Sequence, residues 1–230
     1  MSGIKTKMGL YCSPGAKKRG EGSGGSCYSR AQLLLIARAY NAEYADTIPL
    51  KGTKQQLWQA IEQRMSRDSE PSRGRGKSHR ACDTEMCWMD RIGSYRGELE
   101  SAFLVPKPVG ERTVWLSTGD IYKVLKQYEA AYDNFVYLGT VPIDFCSLAN
   151  NEVCAINLLQ AKRNGKTKIG IVFNTDPSTQ GGRHWISMFI DISAPDQADW
   201  ELNYFDSFGE APLPPQIRDL IKKIKAQAPA

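Results

Sequence analysis

Three short apolar runs near the C-terminal end constrain this chain most: Ile169 to Phe173, His184 to Ile192 and Leu202 to Phe205. Each has the length of a strand, and apolar runs of this size between turn residues read as buried β-strands. Arg163-Asn164-Gly165-Lys166 is a turn signal ahead of the first run, and Ser207-Phe208-Gly209 follows the third. Helical spacing surrounds them. Ile121, Val124, Leu125 and Tyr128 follow Trp115-Leu116, with Ser117 or Asp120 as the cap. Ile217, Leu220, Ile221 and Ile224 follow Pro212, Pro214 and Pro215. Val153 to Gln160 reads as another helix. Phe135 to Phe145, interrupted by Pro142, reads as a short strand or extended segment. Strands and helices are thus mixed, in an α+β or three-layer arrangement.

The chain has 230 residues, enough for a small module followed by a larger domain. Hydrophobic residues make up 41% and charged residues 24%, a globular composition. No apolar run is long enough to span a bilayer, so no membrane partner is expected. Lys5 and Lys7 have no apolar stretch behind them, so no signal peptide is read and the expected setting is cytosolic, nuclear or virion. In such a setting free thiols are the default for Cys12, Cys27, Cys82, Cys87, Cys146 and Cys154. The net charge of +5 permits nucleic-acid contact without requiring it.

Four segments follow from composition. Residues 1–28 are a basic, Gly/Ser-rich arm containing Lys17-Lys18-Arg19, either a solvated tail or a nucleic-acid element. Residues 29–66 form a helical module. Ser29 with Gln32 and Thr53 with Gln56 are capping boxes ahead of the stripes Leu33, Ile36, Tyr40 and Leu57, Ile61, Met65. This helix, extended loop, helix pattern resembles a SAP-like module, which implies DNA binding or docking. A two-helix appendage packed on the main domain fits equally. Residues 67–81 are a polar Arg-rich linker, and residues 82–230 the main domain.

Only two histidines are present, His79 in the linker and His184 at the mouth of an apolar run. A strand-held histidine suits a general base, whose ring must stay within hydrogen-bond reach of a nucleophile. Asp206 closes the last run. It either accepts from His184, if the two strands pair, or caps the turn that follows. A competing cluster of His79, Cys82 and Cys87, with Cys27 or Cys12, reads as a zinc site of low specificity, because the Cys-x4-Cys spacing is at the edge of the usual range. No metal or other cofactor is called for by any stronger motif.

Taken in order, these residues resemble the SUMO and ubiquitin-like-protein proteases. Trp115-Leu116 with Ile121 is similar to the family's helix opening. Ile169 to Asp176 followed by Gly182-Arg183-His184-Trp185 is similar to its strand and His-Trp pair, and Tyr204-Phe205-Asp206-Ser207 to its Asp-Ser strand. With the N-terminal helical arm and Pro142-Ile143-Asp144-Phe145, the chain looks most like the versions of large double-stranded DNA viruses. These are similar to the adenovirus protease in fold and process polyproteins, often at Gly-Gly sites. The resemblance covers about residues 100–225. It implies an α+β, papain-like/adenain-like cysteine protease fold, incomplete at the C-terminus, behind the small helical module. It implies His184 as general base, Asp206 as its orienting acid and Trp185 as a wall of the substrate channel. The substrate would be a polyprotein or ubiquitin-like precursor, and the setting the host cytoplasm or virion, alternatively the nucleus.

The family places an oxyanion-hole Gln and the nucleophilic Cys after the Asp. Here Gln216 and Gln227 follow Asp206, but no Cys does, and Cys146 and Cys154 both precede His184. The chain is thus expected to be the front part of a longer protease, with completion by another polypeptide or decay to a non-catalytic virion scaffold or docking protein as the alternatives.

Overall fold

A computed structural model describes residues 11–22, 25–44, 46–67, 81–105, 115–149 and 151–228. The chain forms two compact units, divided between Arg112 and Thr113.

The first unit is helical: α1 (Pro14–Lys18), α2 (Arg30–Glu43), α3 (Lys54–Met65), α4 (Glu85–Ile92) and α5 (Arg96–Glu100). Both expected capping boxes are present. Ser29 Oγ accepts from Gln32 N and Thr53 Oγ1 from Gln56 N, with each Gln side chain returning the bond. The stripes Leu33, Ile36, Tyr40 and Leu57, Ile61, Met65 are buried in one core. That core is larger than the sequence reading allowed. Trp88 and Met89 of α4, Leu99 of α5 and Phe103 belong to it. Residues 82–105 therefore pack with the N-terminal unit, whereas the composition shift at Cys82 had suggested the start of the C-terminal domain.

The cause is pairing between residues far apart in sequence. Ser13 N donates to Ala102 O at 2.9 Å and Leu104 N to Tyr11 O at 2.7 Å, so residues 11–13 and 102–104 lie side by side. Much of the expected flexible arm is likewise folded: Ser13 caps α1, and Cys12, Ala16, Cys27 and Tyr28 are buried. Residues 1–10 of the arm, and residues 68–80 of the expected linker with His79, lie outside the described residues.

The expectation of free thiols is overturned. Disulfides join Cys12 to Cys27, Cys82 to Cys87 and Cys146 to Cys154, and no cysteine is left free. Their Cα atoms lie 5.1, 5.7 and 5.1 Å apart, within the distance a disulfide spans. The zinc cluster loses its thiolates by the same bond between Cys82 and Cys87. Among the described residues no group of three or more His, Cys, Asp or Glu is placed to hold a metal ion.

The second unit is α+β. Helix α6 (Thr118–Ala131) leads into β1 (Phe135–Pro142); α7 (Leu158–Arg163) precedes β2 (Lys168–Asn174), β3 (Trp185–Asp191), β4 (Glu201–Asp206) and α8 (Pro215–Lys225). The strands lie in the order β1-β2-β3-β4, parallel between β1 and β2 and antiparallel thereafter. Register puts one face of each strand in the core. Ile169 of β2 pairs with Ile190 of β3, which pairs in turn with Leu202 of β4; Ile171, Met188 and Tyr204 form the next such row, and Phe173, Ile186 and Asp206 the third. Helix α8 adds Ile217, Leu220 and Ile224 to the same cluster.

The three apolar runs are thus the three antiparallel strands. The helix expected over Val153 to Gln160 is not formed. Asn151 Oδ1 accepts from Val153 N and Cys154 N, holding a turn that the Cys146–Cys154 bond also closes. Helix α7 starts later, where Asn157 Oδ1 accepts from Gln160 N. No helix among the described residues is long and apolar enough to cross a membrane.

Candidate active site

His184 stands one residue ahead of β3 but is not loose. Its carbonyl accepts from Thr175 N at 2.9 Å, which extends the β2–β3 ladder by one step. Because side chains alternate along a strand, His184 falls on the same face as Ile186. Ile186 pairs directly with Asp206, the last residue of β4. Register alone therefore brings the imidazole beside the carboxylate, and His184 Nε2 lies 2.6 Å from Asp206 Oδ1. Both side chains are largely buried, with 11% and 7% exposure.

Asp206 Oδ1 also accepts from Phe208 N at 2.9 Å. The turn-capping and imidazole-binding readings of Asp206 are therefore both correct, on a single oxygen. The His184 hydrogen bond first, and the Phe208 amide second, hold the Asp206 carboxyl below its ordinary pKa. An ionised carboxylate only accepts, so Nε2 carries the proton. The Nδ1 lone pair is then the one available to a nucleophile, and the described residues offer it no partner.

The loop leading to His184 is tied down. Asp176, buried, accepts from Arg183 Nε at 2.9 Å, and Asp176 N donates to Asn174 Oδ1 at 2.9 Å. Gly182 has φ 86°, and a Cβ there would sit 2.3 Å from Asn174 Nδ2. Glycine is required both by backbone conformation and by space.

Trp185 points away from the pair. Its Nε1 donates to Leu116 O at 3.1 Å, anchoring the segment that precedes α6. Its ring lines a cleft of about 350 Å³ with Thr118, Thr140, Leu148, Asn174, Gly181 and Gly182. Neither His184 nor Asp206 lines that cleft. Trp115 and Leu116 are exposed at its sequence margin, and Ser117 caps α6 with Asp120 returning the bond. Gln216 lines a different cavity, of about 410 Å³, between α8 and the Cys146–Cys154 disulfide. Gln227 is structural: its side chain accepts from Leu158 N and donates to Ile156 O. Sequence reading missed Phe208, whose ring lies flat on the imidazole with centroids 4.0 Å apart and planes 8° apart. The usable signal was register: continuing the Ile186–Asp206 pairing by two residues sets Phe208 opposite His184.

No protein-family model matches the chain. Its relatives are viral proteins. It is 28% identical over 203 residues to a protein of Acanthamoeba polyphaga mimivirus that bears the name thiol protease R355, with 81% of this chain and 63% of that one aligned. It is 29% identical over 169 residues to the SUMO-1 cysteine protease S273R of African swine fever virus, with 64% and 60% aligned. The crystal structure of the African swine fever virus pS273R protease superposes with a TM-score of 0.51 at 23% identity, over 64% of this chain and 59% of that one. The expected adenain-like α+β protease fold and the resemblance to proteases of large DNA viruses are therefore borne out. The chain spans less than two thirds of the length of these relatives.

Proposed function

We propose that the second unit is the His/Asp part of a thiol-protease site acting on a polypeptide. The observation that carries this reading is the 2.6 Å bond from His184 Nε2 to Asp206, which leaves Nδ1 as the free basic nitrogen. In the proposed reaction Nδ1 takes the proton of a cysteine thiol, and the thiolate attacks the scissile carbonyl carbon. The imidazolium, stabilised by Asp206, then protonates the departing amine. Water, deprotonated by Nδ1, hydrolyses the thioester and releases the thiol. All six cysteines of this sequence are in disulfides, so the thiol comes from polypeptide outside these 230 residues.

The substrate class we propose is a polyprotein or ubiquitin-like precursor, in the host cytoplasm or virion. The names of the relatives, thiol protease and SUMO-1 cysteine protease, support it. Nucleic acid is a secondary proposal. It rests on Lys17, Lys18 and Arg19, which are exposed at the end of α1. It predicts binding to duplex DNA that weakens steeply with salt; binding unaffected by substituting all three would reject it.

The protease reading is tested with an electrophilic Gly-Gly peptide probe on the product of the full coding sequence. Labelling is expected at a cysteine other than the six described. His184→Ala should lower it by about 10²–10⁴-fold. Labelling of Cys146 or Cys154 that depends on His184, or labelling indifferent to His184, would overturn the assignment.

A further inference from the structure

Phe208 is 65% exposed, so it adds little to the core, yet it makes the closest ring contact to the imidazole. Three features place it there. The β3–β4 register, continued two residues past the Ile186–Asp206 pair, sets it opposite His184. Asp206 Oδ1, the oxygen that holds Nε2, also holds the Phe208 amide. Gly209, with φ 65°, then turns the chain away, its amide donating to Asp206 O at 3.1 Å. One carboxylate thus fixes both the edge of the imidazole and the residue that covers its face.

We propose that Phe208 is the positioning residue of the pair, locking the imidazole with Nε2 on Asp206 and Nδ1 outward. This rests on the protease reading, in which the outward nitrogen is the base. Exchanging the two ring nitrogens requires rotation of the imidazole about Cβ–Cγ through an edge-on orientation. Perpendicular ring pairs need a wider separation, about 5 Å or more; Tyr28 and Phe103 in this protein stand 5.1 Å apart at 87°. At 4.0 Å a flat neighbour blocks that rotation. The Phe208 ring also shields the His184–Asp206 hydrogen bond from water, consistent with the low exposure of both groups.

The test uses nitrogen-labelled histidine in the 230-residue chain, where His79→Gln assigns the only other imidazole. The wild type should show a His184 Nε2–H resonance that Asp206→Asn abolishes. Phe208→Ala should speed exchange of that proton with water by at least about tenfold, since it opens the site locally. Phe208→Tyr should restore protection. Phe208→Leu, apolar but not flat, should not. Phe205→Ala is the control, because Phe205 is 66% exposed on the same strand and lies on the other face. Unchanged exchange in Phe208→Ala, or equal loss in Phe205→Ala, would overturn the proposal while leaving the His–Asp pair intact. Absence of any Asp206-dependent resonance in the wild type would instead remove the pair, and the protease reading with it.

Discussion

Two carboxylates give the two units opposite responses to acid. Asp206 has its pKa lowered by the His184 and Phe208 hydrogen bonds. Its stabilising contribution is present above the unfolded value of about 4 and is lost as pH falls through the lower folded value. Glu85 is the reverse. It is fully buried, accepting from Cys27 N at 3.0 Å and Trp58 Nε1 at 2.7 Å, and burial raises its pKa despite these bonds. Its charged form therefore costs stability above the folded pKa, and that cost disappears as pH falls toward the unfolded value. Hydrogen exchange measured unit by unit from neutral pH to below about pH 4 should show Asp206→Asn flattening the acid loss in the second unit. Glu85→Gln should flatten the opposite slope in the first; slopes unchanged in either variant would contradict the assignment for that residue. At this scale the sequence was half legible. His184 and Asp206 could be named, but each also fitted a structural role, and only register decided that Asp206 performs both. Phe208 was hidden because a turn signal says nothing about the ring it carries.

Elements were legible where local pattern and tertiary packing agree. The capping boxes at Ser29 and Thr53 formed as read, and of the two caps offered for α6 it is Ser117 that caps, with Asp120 returning the bond; all these hydrogen bonds close within four residues. The three antiparallel strands followed their apolar runs. The helix over Val153 to Gln160 failed because Asn151 and a disulfide impose a turn that its apolar content does not reveal. Glycines sharpen the same point. Gly182→Ala meets both a positive φ and the Asn174 amide at 2.3 Å, whereas Gly209→Ala meets positive φ with nothing within 4 Å. The second should cost about 1–2 kcal/mol, the left-handed penalty alone, and the first clearly more. Urea denaturation of the two variants checks the order, and equal losses would refute the proposed crowding at Asn174. In α8, Leu220 is 4% exposed within the sheet core. Leu220→Ala should therefore cost about 2–5 kcal/mol, while Lys225→Ala, exposed on the same helix, should cost little.

The whole molecule was the least legible level. Its division near Arg112 depends on residues 11–13 meeting residues 102–104, a contact no local pattern announces. The sulfur chemistry was misread for a related reason: thiol pairing is decided by distance in the fold, and the reading from compartment alone had no access to it. The correction yields a prediction about how the two units differ. The first holds Cys12–Cys27 and Cys82–Cys87, with sequence separations of 15 and 5; the second holds only Cys146–Cys154, separation 8. A disulfide stabilises mainly by limiting the unfolded chain, and a loop of about 15 residues is worth about 3 kcal/mol, shorter loops somewhat less. Cys12–Cys27 also anchors the segment that pairs with residues 102–104 and lies beside the amide that binds Glu85. Reduction should therefore weaken the first unit more than the second. For a unit of this size each kcal/mol lost lowers the melting temperature by about 4–8 °C. Scanning calorimetry with and without reductant, combined with hydrogen exchange to assign the transitions, should show the larger shift in peptides from residues 11–105. Cys12→Ser/Cys27→Ser should reproduce most of it without reductant. A shift confined to the second unit would mean that Cys146–Cys154 is the bond that matters to stability, and would reverse the ranking argued from loop length and location.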